Sequence, residues 1–327
     1  MMASILLGVP NVSEGRDATT IEAIGSAFAG RAGRHGCRGG GDRSKAGAAR
    51  GVRLLDMHSD RDHHRSVFTL AAAPAELADA LLAGAAVAVQ RIDVVTRRSG
   101  NSGQAGEHPH VGALDVVPVV YLEAAARGAA CAEALVVADR IGEQLEVPVF
   151  LYGELTGTGG GSGRTRAELR RGGVAGLAER MRDGREARSR LRPDFGPPRM
   201  HPTAGATLLA AREPLVAFNL LLEPPATVGD ARRIAGLIRE GGEEGLPGVR
   251  AIGVAVTGGV GQVSMNIERP LDVPLAMVVQ AVRRFGAVGA AELVGLAPRA
   301  ALEGFPPDVE LQGFDPARHV IENALGF

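Results

Sequence analysis

The order of the apolar runs constrains this chain more than any single motif. Ile5–Val9 reads as a strand, Thr19–Phe28 as a helix, and Val52–Met57 and Ser66–Ala72 as two strands. Pro74–Gln90 opens on a proline, which suits a first helical turn because the N–H it lacks would be unpaired there anyway. Leu114–Leu122 adds another strand. The order is β-α-β-β-α-β, and it returns in the second half. There Leu215–Leu222 is a strand, Gly229–Arg239 a helix, Val249–Val256 and Gln262–Ile267 strands, Leu275–Phe285 a helix and Glu292–Val294 a short strand. The two halves share this order with little residue-level similarity. Between them lie a strand (Val147–Tyr152), a helical stretch near Arg166–Met181 and the Pro-rich connector Arg192–Pro202.

These elements predict an α/β (α+β) protein with two ferredoxin-like βαββαβ subdomains facing each other across a cleft. The expected division is 1–185, a connector over 186–204, and 205–327. A chain of 327 residues is too long for one small core, which agrees with two domains. Charged residues make up 22% and the formal net charge is −1. No global field draws the chain to nucleic acid or to an anionic membrane, so an anionic ligand must be held locally. Lysine is nearly absent, so that task falls to arginine. Cys37 and Cys131 are too few for a disulfide scaffold. The N-terminus lacks a basic signal-peptide region, and no apolar run approaches the roughly 18–20 residues that span a bilayer. The expectation is a cytoplasmic protein.

Two segments break the pattern. Gly30–Arg50 is rich in Gly and Arg, has no apolar period and reads as an exposed insertion. Thr156–Thr165 holds five glycines, yet it has neither the Lys-Ser/Thr ending of a P-loop nor a dinucleotide fingerprint. In a chain with 46 glycines it reads as a loop.

The chemistry-bearing residues fall at strand ends. Gly106–Asp115 packs His108 and His110 among Glu107 and Asp115, just ahead of a strand. His108 is either a capping histidine in a tight turn or a general base, since imidazole titrates near working pH and Glu107 or Asp115 can orient it. In an extended segment His108 and His110 point to the same side. With Asp115 and the cluster Asp56, His58, Asp60, Asp62, His63 and His64 they offer ligands for a metal, but at no zinc-motif spacing. Asn11, Ser13, Glu14 and Arg16 bunch where the first strand ends, as turn residues or as the lining of a site. Asp60–Ser66, between two strands, reads on its own as a charged hairpin loop. Pro193–Pro197 is a rigid linker or a wall of the cleft.

Taken in order, these blocks resemble the formiminotransferase family. The resemblance rests on Val9–Arg16, Leu54–Phe68, Gly106–Asp115, Val147–Glu154, Pro193–Pro197, Gly205–Thr207, Ala217–Asn219, Gln262–Asn266 and Glu292–Pro298. It implies transfer of a formimidoyl group from N-formimidoyl-L-glutamate to N5 of tetrahydrofolate, in histidine degradation and one-carbon metabolism. It also implies a folate-binding cleft, usually a homodimer, tetrahydrofolate as co-substrate and no metal. His108 would be the catalytic base, with Glu107 and Asp115 beside it. Asn11, Ser13, Glu14, Arg16, Asp60, His64, Arg65, Arg164 and Asn219 would bind substrates, the arginines holding glutamate carboxylates. The chain departs from the family pattern at His110, where arginine is expected, and at His64, where asparagine is more usual. It ends at Phe327 with no room for a cyclodeaminase domain, so the product would pass to a separate enzyme. A metal-dependent hydrolase built on His108, His110 and Asp115, and a non-catalytic folate-binding relative, are the alternatives.

Overall fold

The structure, a computed structural model, describes residues 5–30, 51–96, 109–156, 163–182, 191–256 and 259–327. It divides into two compact units, the first running through Arg212 and the second from Glu213 to Phe327. In the first unit, β1 (Leu6–Gly8) and β2 (Asn11–Val12) are two pieces of one line, broken at Val9-Pro10 where proline supplies no N–H. Helix α1 (Ala18–Phe28) follows, then strands β3 (Arg53–Asp60) and β4 (Arg65–Ala72), helix α2 (Leu77–Arg91) and β5 (Leu114–Tyr121). Both pieces of the broken strand pair antiparallel with β4 on one side and β5 on the other, and β3 pairs with β4. The expected β-α-β-β-α-β order is therefore present, with its first strand inside the sheet.

The sheet then continues. Helix α3 (Arg127–Gln144) leads to β6 (Val149–Leu151), helices α4 (Arg166–Arg170) and α5 (Gly173–Arg182) follow, and β7 (Thr207–Arg212) inserts between β5 and β6, parallel to both. Strand β7 lies beyond the boundary expected at residue 205, yet its hydrogen bonds place it in the first sheet. The first unit consequently runs eight residues past that boundary, from 205 through 212. The connector before β7 is stitched to the same sheet: Asp194 N–H donates to Val149 O at 2.8 Å, and Val149 N–H donates to Phe195 O at 2.9 Å.

Helix α3, 18 residues long, is absent from the elements expected from sequence. Its buried stripe is Ala130, Glu133, Ala134, Val137, Ala138, Ile141 and Gly142, and small residues with a glutamate among them mark a helical period weakly. The helical stretch expected over 166–181 is two helices, because Gly172 and Gly173 both take positive φ (76° and 60°) and turn the chain between them.

The two faces of this sheet differ. On one, Ile24 and Phe28 of α1, Leu77 and Leu81 of α2, and Val137 and Ile141 of α3 pack with Phe68, Leu70, Val117 and Val119 in one core. Phe28 and Phe68 sit 5.1 Å apart in a tilted pair, a geometry adding roughly 1 kcal/mol to their area burial. On the other, Leu169 of α4 and Leu177 and Met181 of α5 cover Val116, Phe150, Tyr152 and Leu208. These two helices cover the β5-β7-β6 side of that face.

Helices α2 and α3 are joined by a buried carboxylate. Glu133, 5% exposed, accepts N–H bonds from Ala75 (2.6 Å) and Ala78 (2.7 Å) at the start of α2, whose own N-cap residue Glu76 makes no side-chain cap. A carboxylate at this position satisfies otherwise orphaned donors and opposes the helix dipole. Glu133→Ala is expected to cost about 1–3 kcal/mol in chemical denaturation, because the buried Ala78 N–H and the part-buried Ala75 N–H lose their acceptor. A loss below about 0.5 kcal/mol would show that water replaces the carboxylate at no cost.

The second unit carries β8 (Val216–Leu222), α6 (Val228–Ile238), β9 (Val249–Ala255), β10 (Gly261–Ile267), α7 (Leu275–Arg283), β11 (Val288–Val294), the short parallel strand β12 (Glu310–Gln312), and C-terminal helices α8 (Pro316–His319) and α9 (Ile321–Leu325). Its strand order is β12-β11-β8-β10-β9. Phe218, Leu220, Val263, Met265 and Leu293 meet Ile234, Ile238, Val278 and Val282 of its helices in a separate core. Among the described residues, no helix is long and apolar enough to cross a membrane. Most of Gly30–Arg50 and of the glycine tract in Thr156–Thr165 lies outside the described residues.

Candidate active site

Three loops meet at one end of the first sheet. The first follows β2. Ser13, 6% exposed, donates its hydroxyl to Gly112 O at 2.7 Å, and its N–H bonds Ala113 O. Glu14, 2% exposed, turns its Oε1 back to accept N–H bonds from Arg16 (2.9 Å) and Asp17 (3.1 Å) ahead of α1. Asn11 is held by its own turn, its Nδ2 donating to Val9 O.

The second loop is the tip of the β3–β4 hairpin. Asp60 Oδ1 accepts from the N–H groups of Asp62 (2.8 Å) and His63 (2.9 Å), and Oδ2 lies 2.5 Å from His63 Nδ1. His64 then adopts φ 51°, the left-handed region where asparagine is the commoner residue with a side chain; histidine tolerates it too. Gly15 lets the two loops touch. A Cβ there would stand 2.1 Å from Asp60 O and 2.6 Å from Arg65 N, so only glycine fits. Ser66 completes the seam by donating its hydroxyl to Glu14 O at 2.6 Å.

His64 Nδ1 lies 3.0 Å from Gly15 N and 3.3 Å from Glu14 Oε1. The first contact needs a bare ring nitrogen and the second a protonated one. They are thus two protonation states of one site, and the shorter distance favours the bare nitrogen accepting from Gly15.

The third loop is the turn into β5. Asp115, 1% exposed, accepts from Val111 N–H at 2.8 Å through Oδ1, while Oδ2 pairs with Arg170 Nη2 of α4. Both oxygens of this buried carboxylate are therefore engaged. Arg65 opens β4 opposite Asp60 in the strand register and is half-buried. Burial and the neighbouring Arg170 push its guanidinium down to about 10, against the opposing pull of Asp115. Glu107 and His108 lie outside the described residues; the described turn begins at Pro109 and His110.

Of the residues singled out in the sequence, Asn11, Ser13, Glu14, Asp60, His64, Arg65 and Asp115 belong to these three loops and the strand ends beside them. Arg16 is at their edge, its Nε donating to Arg61 O at 2.9 Å. Arg164 is bound elsewhere, to Asp194, whose Oδ2 also accepts Leu151 N–H at 2.7 Å. Asn219 belongs to the second unit. There it is 4% exposed, donates to Glu292 Oε2 at 2.8 Å, and registers beside Ser264. Arg170, which pairs with the buried Asp115, was not singled out in the sequence. Its sequence neighbourhood, a run of Arg, Glu and Leu, reads as an ordinary helix surface. Among the described residues, no three or more His, Cys, Asp or Glu side chains are grouped to hold a metal ion.

Burial alone would raise the Asp60 carboxyl, but the hydrogen bonds from His63 outweigh it and hold the group at about 2, below its ordinary 3.8. A depressed carboxyl contributes stability while ionised. That contribution is complete above pH 3.8 and is lost as pH falls toward 2. Asp60→Asn is expected to cost roughly 2 kcal/mol near neutrality, with the gap to the wild type closing below about pH 4. Denaturant melts across pH 7 to 2.5 test this; a gap independent of pH would show that the carboxylate charge contributes nothing.

The first unit is thus an α/β domain whose sheet end gathers buried carboxylates, imidazoles and guanidiniums around a conformationally fixed turn. The chain matches the formiminotransferase domain, N-terminal subdomain, over residues 5–212. It is 32% identical over 303 residues to a glutamate formimidoyltransferase of Streptococcus pyogenes serotype M1, covering 91% of this chain and 90% of that one. A glutamate formimidoyltransferase of Thermoplasma acidophilum is 30% identical, with 90% and 88% covered. A formimidoyltransferase-cyclodeaminase of Mus musculus is 32% identical, and there the chain spans about half of the relative's length (51%). The chain belongs to the formiminotransferase family.

Proposed function

We propose that this protein is a glutamate formimidoyltransferase, moving the formimidoyl group of N-formimidoyl-L-glutamate to N5 of tetrahydrofolate. The observation that carries the reading is the convergence of the three family loops, Asn11–Asp17, Asp60–Ser66 and Val111–Asp115, at one end of one sheet. Matches to glutamate formimidoyltransferases along nine-tenths of both chains support it. In each unit the β-α-β-β-α-β order, with the first strand paired to the third and fourth, supports reading it as ferredoxin-like. The family resemblance is the basis for reading the protein as a cytoplasmic homodimer of histidine degradation and one-carbon metabolism.

N5 must lose a proton as it attacks the amidine carbon. His108 is the base, and Glu107 its neighbour; the imidazolium then returns the proton to the departing glutamate nitrogen. Asp115 serves as a positioning residue, anchoring the turn three residues past His108 through Val111 N–H. The amidine is cationic when protonated, so carboxylates rather than an oxyanion hole suit it, and Glu14, Asp60 and Glu107 are the candidates. Asn11, Ser13, Arg16 and His64 are the further substrate-binding candidates of the first unit, with Arg65 and Arg164 as the arginines nearest the motifs, and Asn219 is the candidate of the second unit.

The test is turnover of tetrahydrofolate with N-formimidoyl-L-glutamate, with and without exhaustive chelation. Product formation unaffected by chelator is the expected result. Absence of product overturns the transferase reading, and activity lost to chelator and restored by zinc favours the hydrolase built on His108, His110 and Asp115.

A further inference from the structure

The strands of the second unit alternate apolar and polar side chains, and the polar ones share a face. Phe218, Leu220, Val263, Met265 and Leu293 pack with helices α6 and α7. Successive side chains of a strand point to opposite faces, so Asn219, Gln262, Ser264 and Glu292 lie on the face turned away from those helices. The register brings them together. Asn219 stands opposite Ser264 on β10 and opposite Glu292 on β11, and Gln262 comes two residues before Ser264. Asn219 is 4% exposed and Gln262 7%. Asn219 Nδ2 is committed to Glu292 Oε2 at 2.8 Å. Gln262 Nε2 is buried and has no hydrogen-bond partner among the described residues.

We propose that Gln262, with Asn219 and Ser264 beside it, binds the pyrimidinone edge of the tetrahydropterin ring of tetrahydrofolate; this deepens the transferase reading and rests on it. A buried amide donor without an acceptor is a standing cost to the fold, and an apolar side chain of similar size would avoid it. An acceptor brought by a ligand removes that cost. The class of ligand follows from the neighbours. Arg250, opposite Asn266 in the same register, is already paired with Glu240 (3.0 Å) and Glu268 (3.5 Å). The group itself presents two carboxamides, a hydroxyl and a carboxylate. Glu292 repels the carboxylates of a glutamyl group. A protonated amidine offers donors alone and leaves Gln262 Nε2 unanswered. The pyrimidinone edge sets the acceptor O4 beside the donor N3–H, and a carboxamide, with one acceptor and one donor group of its own, matches that pair.

The full-length wild type, Gln262→Leu and Gln262→Glu are titrated calorimetrically, without oxygen, with tetrahydrofolate and its 4-amino counterpart. In the counterpart an amino group replaces O4 and N3 loses its hydrogen. N-formimidoyl-L-glutamate serves as the control ligand. The wild type is expected to bind the 4-oxo compound about 10- to 100-fold more tightly, the worth of the bond together with the donor otherwise left unpaired. Gln262→Leu should bring that preference near unity. Its affinity for N-formimidoyl-L-glutamate should stay at the wild-type value, and its denaturation midpoint at or above it, since the orphaned donor is gone. Gln262→Glu exchanges the donor for an acceptor and should turn the preference toward the 4-amino compound, which a merely structural role would not do. Should Gln262→Leu fail to fold, Gln262→Glu carries the test; failure of both to fold marks the amide as structural and overturns the site. A wild-type preference near unity overturns it too, as does a preference unchanged in a folded variant. Wild-type turnover is measured alongside. Turnover without a preference overturns the pterin site alone, a variant-sensitive preference without turnover overturns the transferase reading alone, and neither overturns both.

Discussion

His108→Ala is expected to lower kcat by roughly 10²- to 10⁴-fold, the usual worth of a positioned acid–base group. Tetrahydrofolate affinity should change little, because a base contributes to the transition state more than to ground-state binding. The acidic limb of the kcat/KM profile should vanish with it, since that limb records the base becoming protonated. His110→Ala is the control. As a neighbour of the base it should raise KM or do little, and leave the shape of the pH profile intact. A His108→Ala enzyme with near-normal kcat, set against an inactive His110→Ala, would transfer the role to His110. Full activity in both would remove proton transfer from this segment.

The second large effect is on stability. Asp115→Ala leaves the Arg170 guanidinium buried at 8% exposure with its counter-charge gone, and Val111 N–H without an acceptor. Breaking a buried ion pair from one side costs about 3–5 kcal/mol, because the surviving charge stays in a poorly solvated place. Most of that penalty belongs to the stranded charge. Asp115→Leu combined with Arg170→Met should therefore recover much of the lost stability. Guanidinium or urea denaturation of the single and double variants measures this. A single variant within 1 kcal/mol of the wild type would mean that Arg170 swings out to water.

How much of this was legible in the sequence varies by element. The strands at 53–60, 65–72, 114–121, 216–222, 249–255 and 261–267 could be read because their apolar runs are long and bounded by turn residues. Helix α3 could not, because its buried stripe of small residues with a glutamate among them barely differs in hydrophobicity from its surroundings. Strand β7 was missed for another reason. Thr207–Arg212 is short and sits just past the proline-rich connector, and only its parallel ladders with β5 and β6 define it as a strand of the first unit. The site divides in the same way. Asn11, Ser13, Glu14, Asp60, His64 and Asp115 stood out because polar residues at strand ends have few reasons to cluster, whereas Arg170 and Arg166 look like solvated helix positions.

Local sequence thus determined the order of elements, the loops that carry the chemistry and the family, since each depends on residues within a few positions of one another. The tertiary structure alone decided the partnerships: Gly15 against the β3–β4 tip, Asp115 with Arg170 across 55 residues, Arg164 with Asp194 across 30. The physical reason is that a charge's role is set by its burial and its nearest opposite charge. Both depend on how distant segments pack, and chain order records neither.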